Sequence, residues 1–133
     1  MWITSSDDNT VSKVDPVSGE TLMTLTVGVR PTAIAARADS LWIGNSGESS
    51  ISRVRFPGPG LSPTVRSIHV GRGPTGIAVG AGAVWVANSI DRTVSRIDPT
   101  EDQVVNTIRL GRVVPADISV AAGRVWVTAQ SES

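Results

Sequence analysis

Four tryptophans, Trp2, Trp42, Trp85 and Trp126, stand 40, 43 and 41 residues apart in a chain of 133. A period of that length is the mark of a repeat architecture, and it constrains the fold before any element is assigned. The period extends well beyond the indoles. Nine positions after the first three tryptophans come Val11-Ser12-Lys13-Val14, Ile51-Ser52-Arg53-Val54 and Val94-Ser95-Arg96-Ile97. Eleven positions before the last three come Pro31, Pro74 and Pro115, preceded at a short distance by Gly28, Gly71 and Gly111. Differences in length fall where a loop absorbs them: the second copy carries Phe56 to Pro63 where the third has the shorter Pro99 to Gln103.

Val, Ile, Thr and Trp dominate each copy, turn residues arrive every few positions, and no helical i, i+3, i+4 pattern is sustained, so each copy reads as short strands. In the third copy strand A is Gly76–Val79, B is Ala83–Ala87, C is Thr93–Ile97 and D is Val105–Leu110. Asp39, Gly82 and Gly123, each three positions before a tryptophan, suit the positive φ of a tight A–B hairpin. Asp15-Pro16 and Asp98-Pro99 open the C–D turn with a side-chain acceptor and a preset φ. Strand B is apolar on both faces and needs cover on both, whereas strand D alternates Met23, Leu25 and Val27 with Thr24 and Thr26. Such a four-stranded unit cannot bury its own faces, but a radial stack of units can. The tryptophans are therefore expected in the core, with Trp85→Ala costing about 3 to 5 kcal/mol.

The run from Gly71-Arg72-Gly73-Pro74-Thr75-Gly76 to Trp85-Val86-Ala87-Asn88, followed by Asp91-Arg92-Thr93-Val94-Ser95-Arg96-Ile97-Asp98, resembles the YVTN type of β-propeller repeat found in bacterial proteins similar to streptogramin (virginiamycin B) lyase. The resemblance covers essentially the whole chain. It implies an all-β propeller segment of about three four-stranded antiparallel blades, incomplete as a closed ring. The expected division is a partial blade 1–30 (strands B-C-D), blades 31–73 and 74–114, and a partial blade 115–133 (strands A-B). Closed propellers use roughly four to eight blades. Starting and stopping inside a blade leaves two raw sheet edges, so the expectation is further blades in a parent chain or a homo-oligomer. An extracytoplasmic, periplasmic or secreted setting is implied by the resemblance alone.

Twelve Lys and Arg balance twelve Asp and Glu, which argues against nucleic acid as a partner, since neutralising many phosphates needs a cationic excess. Without cysteine there is no disulfide, thiol nucleophile or Cys-ligated metal. No apolar stretch is long enough to insert in a membrane as a helix. On one face of an A-B-C-D blade the D–A connections and B–C loops emerge together. The connections hold Arg30, Arg72 and Arg112; the loops hold Asp8, Glu48 and Asp91, each six positions after its tryptophan, with Glu132 at the same offset. The arginines could recognise a carboxylate, a phosphate or an acidic peptide through bidentate bonds, or simply pair with those acids. Convergence of the acids on a hard cation is the less economical reading, because turn formation explains Asp and Asn there. No metal and no cofactor is expected.

His69, the one histidine, falls on the polar face of outer strand D with Ser67, away from the channel where a general base would be needed. The G-x-G-x-x-G spacing of Gly71 to Gly76 leads into a strand and lacks the helix N-terminus of a dinucleotide cradle. No nucleophile–base pair is visible, so no catalytic residue is assigned. The expected function is a non-catalytic binding or scaffold propeller recognising a protein, a peptide or a small anionic ligand on the loop face, as the sensor part of a larger bacterial protein. The alternative is part of a streptogramin-lyase-like carbon–oxygen lyase whose catalytic blades lie elsewhere.

Overall fold

The computed structural model describes residues 1–37, 40–56, 58 and 62–130. Thirteen strands follow one another with no helix among the described residues: β1 (Trp2–Ser5), β2 (Thr10–Val14), β3 (Thr21–Thr26), β4 (Pro31–Arg37), β5 (Ser40–Asn45), β6 (Ser50–Arg55), β7 (Thr64–His69), β8 (Pro74–Gly80), β9 (Ala83–Asn88), β10 (Thr93–Asp98), β11 (Gln103–Arg109), β12 (Val114–Ala121) and β13 (Arg124–Gln130). They form four antiparallel sheets in chain order, β1-β2-β3, β4-β5-β6-β7, β8-β9-β10-β11 and β12-β13, so every hydrogen-bonded neighbour is a sequence neighbour. The expected strand order A-B-C-D is observed, and the sheets of the described residues do not close a ring.

Each of three apolar cores lies between consecutive sheets. Val11 of the first sheet meets Leu41, Ile43 and Val54 of the second. Ala33, Trp42, Ile51 and Ile68 meet Ile77, Val84, Val86 and Ile97 of the third. Ala78, Ala87 and Val94 meet Ile118 of the fourth. A sheet with both faces covered needs continuous apolar strands, and β5 is buried from end to end.

The turns follow their residue chemistry. The β8–β9 hairpin turns through Ala81 and Gly82 at φ 51° and 75°, and β12–β13 repeats it with Ala122 and Gly123 at 52° and 73°. Two successive positive φ values make a type I′ turn, which matches the twist of the strands it joins. Asp39 lies outside the described residues, as do Pro57, Pro59, Gly60 and Leu61 of the longer C–D loop. In the other C–D turns the side chains of Asp15 and Asp98 accept the amides of Val17 at 2.9 Å and Thr100 at 2.8 Å.

One expectation is corrected. Trp42 is 2% exposed, but Trp2 and Trp85 are half-buried and Trp126 is 57% exposed. The face that carries the indole is covered only by the sheet that follows. Trp42 has a complete neighbour, Trp85 has the two-stranded β12-β13, and Trp126 has none among the described residues; Trp2 also faces a complete sheet, but a cavity of about 220 Å³ between it, Leu41 and Phe56 leaves it half-buried. The sidedness of strand D holds in β7, where Ile68 is buried beside exposed Ser67 and His69.

Candidate functional site

The D–A connections do not stand free as a ring of cations. Two of them fold onto the B–C loop of the next sheet through main-chain bonds: Ser46 and Gly47 donate to the carbonyls of Arg30 and Val29 at 2.9 and 3.0 Å, and Ser89 and Ile90 donate to Gly73 and Arg72 at 2.9 and 3.2 Å. The acids complete these joints. Glu48 Oε1 accepts the Val29 amide at 2.6 Å, and Asp91 Oδ2 accepts the Arg72 amide at 2.9 Å. Asp91 Oδ1 also takes the Arg72 Nε–H at 2.7 Å, the one candidate arginine–acid pair that is brought together among the described residues. These bonds hold the Asp91 carboxyl below its ordinary value of 3.8, the Arg72 main-chain amide acting first and its side chain second.

The other candidates are placed apart. Asp8 accepts the Ser5 hydroxyl at 3.3 Å on the first sheet's loop. Arg30 is exposed at φ 55°, and its amide donates to Asn9 Oδ1 at 3.0 Å. Arg112 is exposed; the loop that corresponds to its partner falls at 131–133, so Glu132 lies outside the described residues. Among the described residues no group of three or more His, Asp or Glu side chains converges as a metal cluster would.

Beneath the joints sits a pair of fully buried asparagines, Asn45 and Asn88, ending β5 and β9. Asn45 Nδ2 donates to the hydroxyls of Ser50 and Ser52 at 3.2 and 3.0 Å, and its Oδ1 accepts the Gly28 amide at 3.1 Å. Asn88 repeats the hydroxyl bonds with Thr93 at 3.2 Å and Ser95 at 2.9 Å, while its Oδ1 has no partner among the described residues. The connection runs so close that a Cβ on Gly28 or Gly71 would come within 2.5 or 2.9 Å of the respective amide group. Glycine is needed at those two positions for space.

On this same face a cavity of about 590 Å³ opens between the second and third sheets. One wall is the end of β7 and its continuation, His69, Val70 and Gly71; the other includes Thr93 and Ser95 on β10 with Thr107 and Arg109 on β11. Thr93 lies directly across from Arg109, and Ser95 across from Thr107, so these four side chains share one face in two adjacent rows. Arg92 and Asp91 close one end. His69 thus lines a groove on the outer side of the sheets, together with cations and hydroxyls.

A second constellation went unread in the sequence. Each basic residue eleven positions after a tryptophan sits directly across from it on strand C, as Trp2–Lys13, Trp42–Arg53 and Trp85–Arg96. The charges lie over the rings at 6.0, 4.5 and 5.4 Å. Arg53, 7% exposed, also crosses to the third sheet, where it bonds the Pro99 carbonyl and forms an ion pair with Asp102. The constant spacing of eleven was a usable signal once the B–C register was assigned.

Comparisons with family models and with curated proteins return no match. Solved structures do match. Hydrazine synthase of Kuenenia stuttgartiensis superposes with a TM-score of 0.80 at 22% identity, over 91% of this chain and 35% of that one. A protein of Desulfotomaculum acetoxidans described as functionally unknown gives 0.76 at 10% identity, over 90% and 39%. The β-propeller domain of Myceliophteria thermophila Cps50 (Swd1) gives 0.70 at 10%, over 93% and 44%. The chain therefore has the architecture of a β-propeller segment and spans well under half of each of these three. At such identities the likeness establishes fold alone.

Proposed function

We propose that this propeller segment is a non-catalytic recognition module of the YVTN, virginiamycin-B-lyase-like type, which takes its ligand on the face formed by the D–A connections and B–C loops. The observation that carries the reading is the groove on that face, open to about 590 Å³ and lined by Arg92, Arg109, His69, Thr93, Ser95 and Thr107. A volume of that size suits a small ligand or a short peptide segment. Its donors suit holding a ligand more than withdrawing a proton, because the one imidazole shares the cavity with guanidiniums and hydroxyls. The joints between connections and loops support the same reading, since a recognition surface is most selective when its own side chains and main chain are fixed beforehand.

Two-dimensional NMR of the labelled chain against pools of acidic peptides, sugars and organic anions tests this. Shifts confined to residues 28–30, 46–49, 69–73, 89–93 and 107–112 are expected. Shifts scattered over the C–D turns, or none for any pool, would defeat it. The triple replacement of Arg30, Arg72 and Arg112 by Gln separates the two parts of the face: binding that survives it belongs to the groove.

A further inference from the structure

We infer that the groove between the second and third sheets binds a tetrahedral oxyanion, the phosphate or sulfate group of a small ligand. The inference rests on the recognition reading above and names the chemistry of that same site.

Three observations carry it. First, the hydroxyls are set as donors. Asn88 Nδ2 already donates to Thr93 Oγ1 and Ser95 Oγ, so the hydrogen of each hydroxyl is left to point elsewhere; Ser95 is 1% exposed at the floor, and half-buried Thr93 presents its hydroxyl nearer the opening. Asn88 is fully buried, which fixes this arrangement. Second, the charge in the groove is cationic. Its acid, Asp91, is engaged by Arg72, whereas Arg109 has no ion-pair partner among the described residues and lies beside Thr93 in the cross-strand register. The Arg109 guanidinium and the hydroxyls of Thr93 and Thr107, on two adjacent strands, offer more donors than the two oxygens of a carboxylate use, and match an anion with three terminal oxygens.

Third, Arg92 stands where the turn prefers another residue. It holds φ 57°, the left-handed conformation that Asn9 adopts at φ 60° seven positions after the first tryptophan. Asparagine tolerates that conformation and arginine gains nothing from it. Arg30 shares that conformation at φ 55°, and what distinguishes Arg92 is its place in the groove wall beside Thr93.

The test is titration of the labelled chain at low salt with inorganic phosphate, sulfate, glucose 6-phosphate, acetate and glucose. Phosphate, sulfate and glucose 6-phosphate should shift amides at 69–71, 91–95 and 107–111, and acetate and glucose should not. If glucose 6-phosphate binds more tightly than inorganic phosphate, the carrier occupies the rest of the groove; equal affinities make the free anion the ligand. Arg109→Gln should weaken binding at least about tenfold, the loss of one charge-assisted bond, with Arg124→Gln, an exposed arginine on β13 away from the groove, within about twofold of the parent. Arg92→Asn should weaken binding with the fold retained, read from unchanged amide signals outside the groove. Unchanged affinity in Arg109→Gln, or glucose binding as tightly as glucose 6-phosphate, overturns the inference. Should an acidic peptide shift the loop face while no oxyanion shifts the groove, the recognition reading stands and the oxyanion falls.

Discussion

Removing one charge from the Arg53–Asp102 pair should cost far more than removing its exposed counterpart one sheet further on. The side chains of Arg53 and Asp102 are 8% and 10% exposed, and the guanidinium spans two sheets: it lies on Trp42, reaches Ser40 Oγ at 3.3 and 3.4 Å, and meets Pro99 and Asp102 across the gap. Breaking a buried pair by deleting one partner costs about 3 to 5 kcal/mol, because a charge stays behind without its counter-ion. Asp102 holds φ 55°, so Asp102→Asn is the clean perturbation; it keeps the shape, tolerates the left-handed backbone and removes only the charge. With the Pro99 carbonyl and the Trp42 ring still in place, about 3 kcal/mol is expected, the lower end of that range. Arg66 reaches Asp102 at 3.7 Å but is exposed, so it adds little. Arg96 over Trp85 is exposed and has no carboxylate partner among the described residues, so Arg96→Met should cost under about 1 kcal/mol. Urea unfolding followed by tryptophan fluorescence measures both. In the cycle with Arg53→Met, the double variant should be more stable than the sum of the single losses implies, by about 1 to 2 kcal/mol. Equal costs for Asp102→Asn and Arg96→Met, or additivity in the cycle, would refute the claim that this pair clamps the second sheet to the third.

Trp42→Ala should cost about 3 to 5 kcal/mol and Trp126→Ala under about 1 kcal/mol, in the same unfolding assay, since one indole is enclosed between sheets and the other faces out. Gly82→Ala should destabilise by about 1 to 2 kcal/mol at φ 75°, while Ala81→Gly, at φ 51°, should stabilise by up to about 1 kcal/mol; a pair of thermal melts decides both. Asp91 has its folded-state value lowered, so the stability it contributes is complete well above pH 3.8 and is lost as pH falls through that lowered value. Asp91→Asn should accordingly flatten the fall of melting temperature in the acid range below about pH 4 and leave that slope unchanged near neutrality. An acid slope identical to the parent's would mean that the Arg72 joint does not depend on the carboxylate.

The periodic part of this fold was legible because each repeat states its own local structure. Indole, valine and isoleucine at the Trp85 strand, then the Thr93–Ile97 strand, then Asp98-Pro99, specify a strand, its partner and its turn within some fifteen residues, and antiparallel neighbours need no long-range information. What each repeat cannot state is whether something covers it. Trp42 and Trp126 sit in similar sequence surroundings, yet one is enclosed and the other exposed, because burial of the indole depends on a following sheet about forty residues away. The loop-face charges show the same limit. Arg72 and Asp91 were both visible, but their joint exists because a D–A connection folds onto the next sheet's loop, a contact between units and not within one.

Departures from the repeat carry a different kind of information. The residue seven positions after the tryptophan is Asn9 in one copy, Ser49 in another and Arg92 in a third, and Asn9 is the residue a left-handed turn favours. The residue facing Thr93 across the sheet is Arg109, where the preceding copy places His69 opposite Ser50 and the first places Thr26 opposite Thr10. Packing does not demand these changes, since the same turn and strand pair form without a guanidinium at either position. Arg92 departs from the residue the turn favours and Arg109 adds a charge that the strand pairing does not use, and both line one groove, which is where a departure from the repeat points to a site and not to the scaffold.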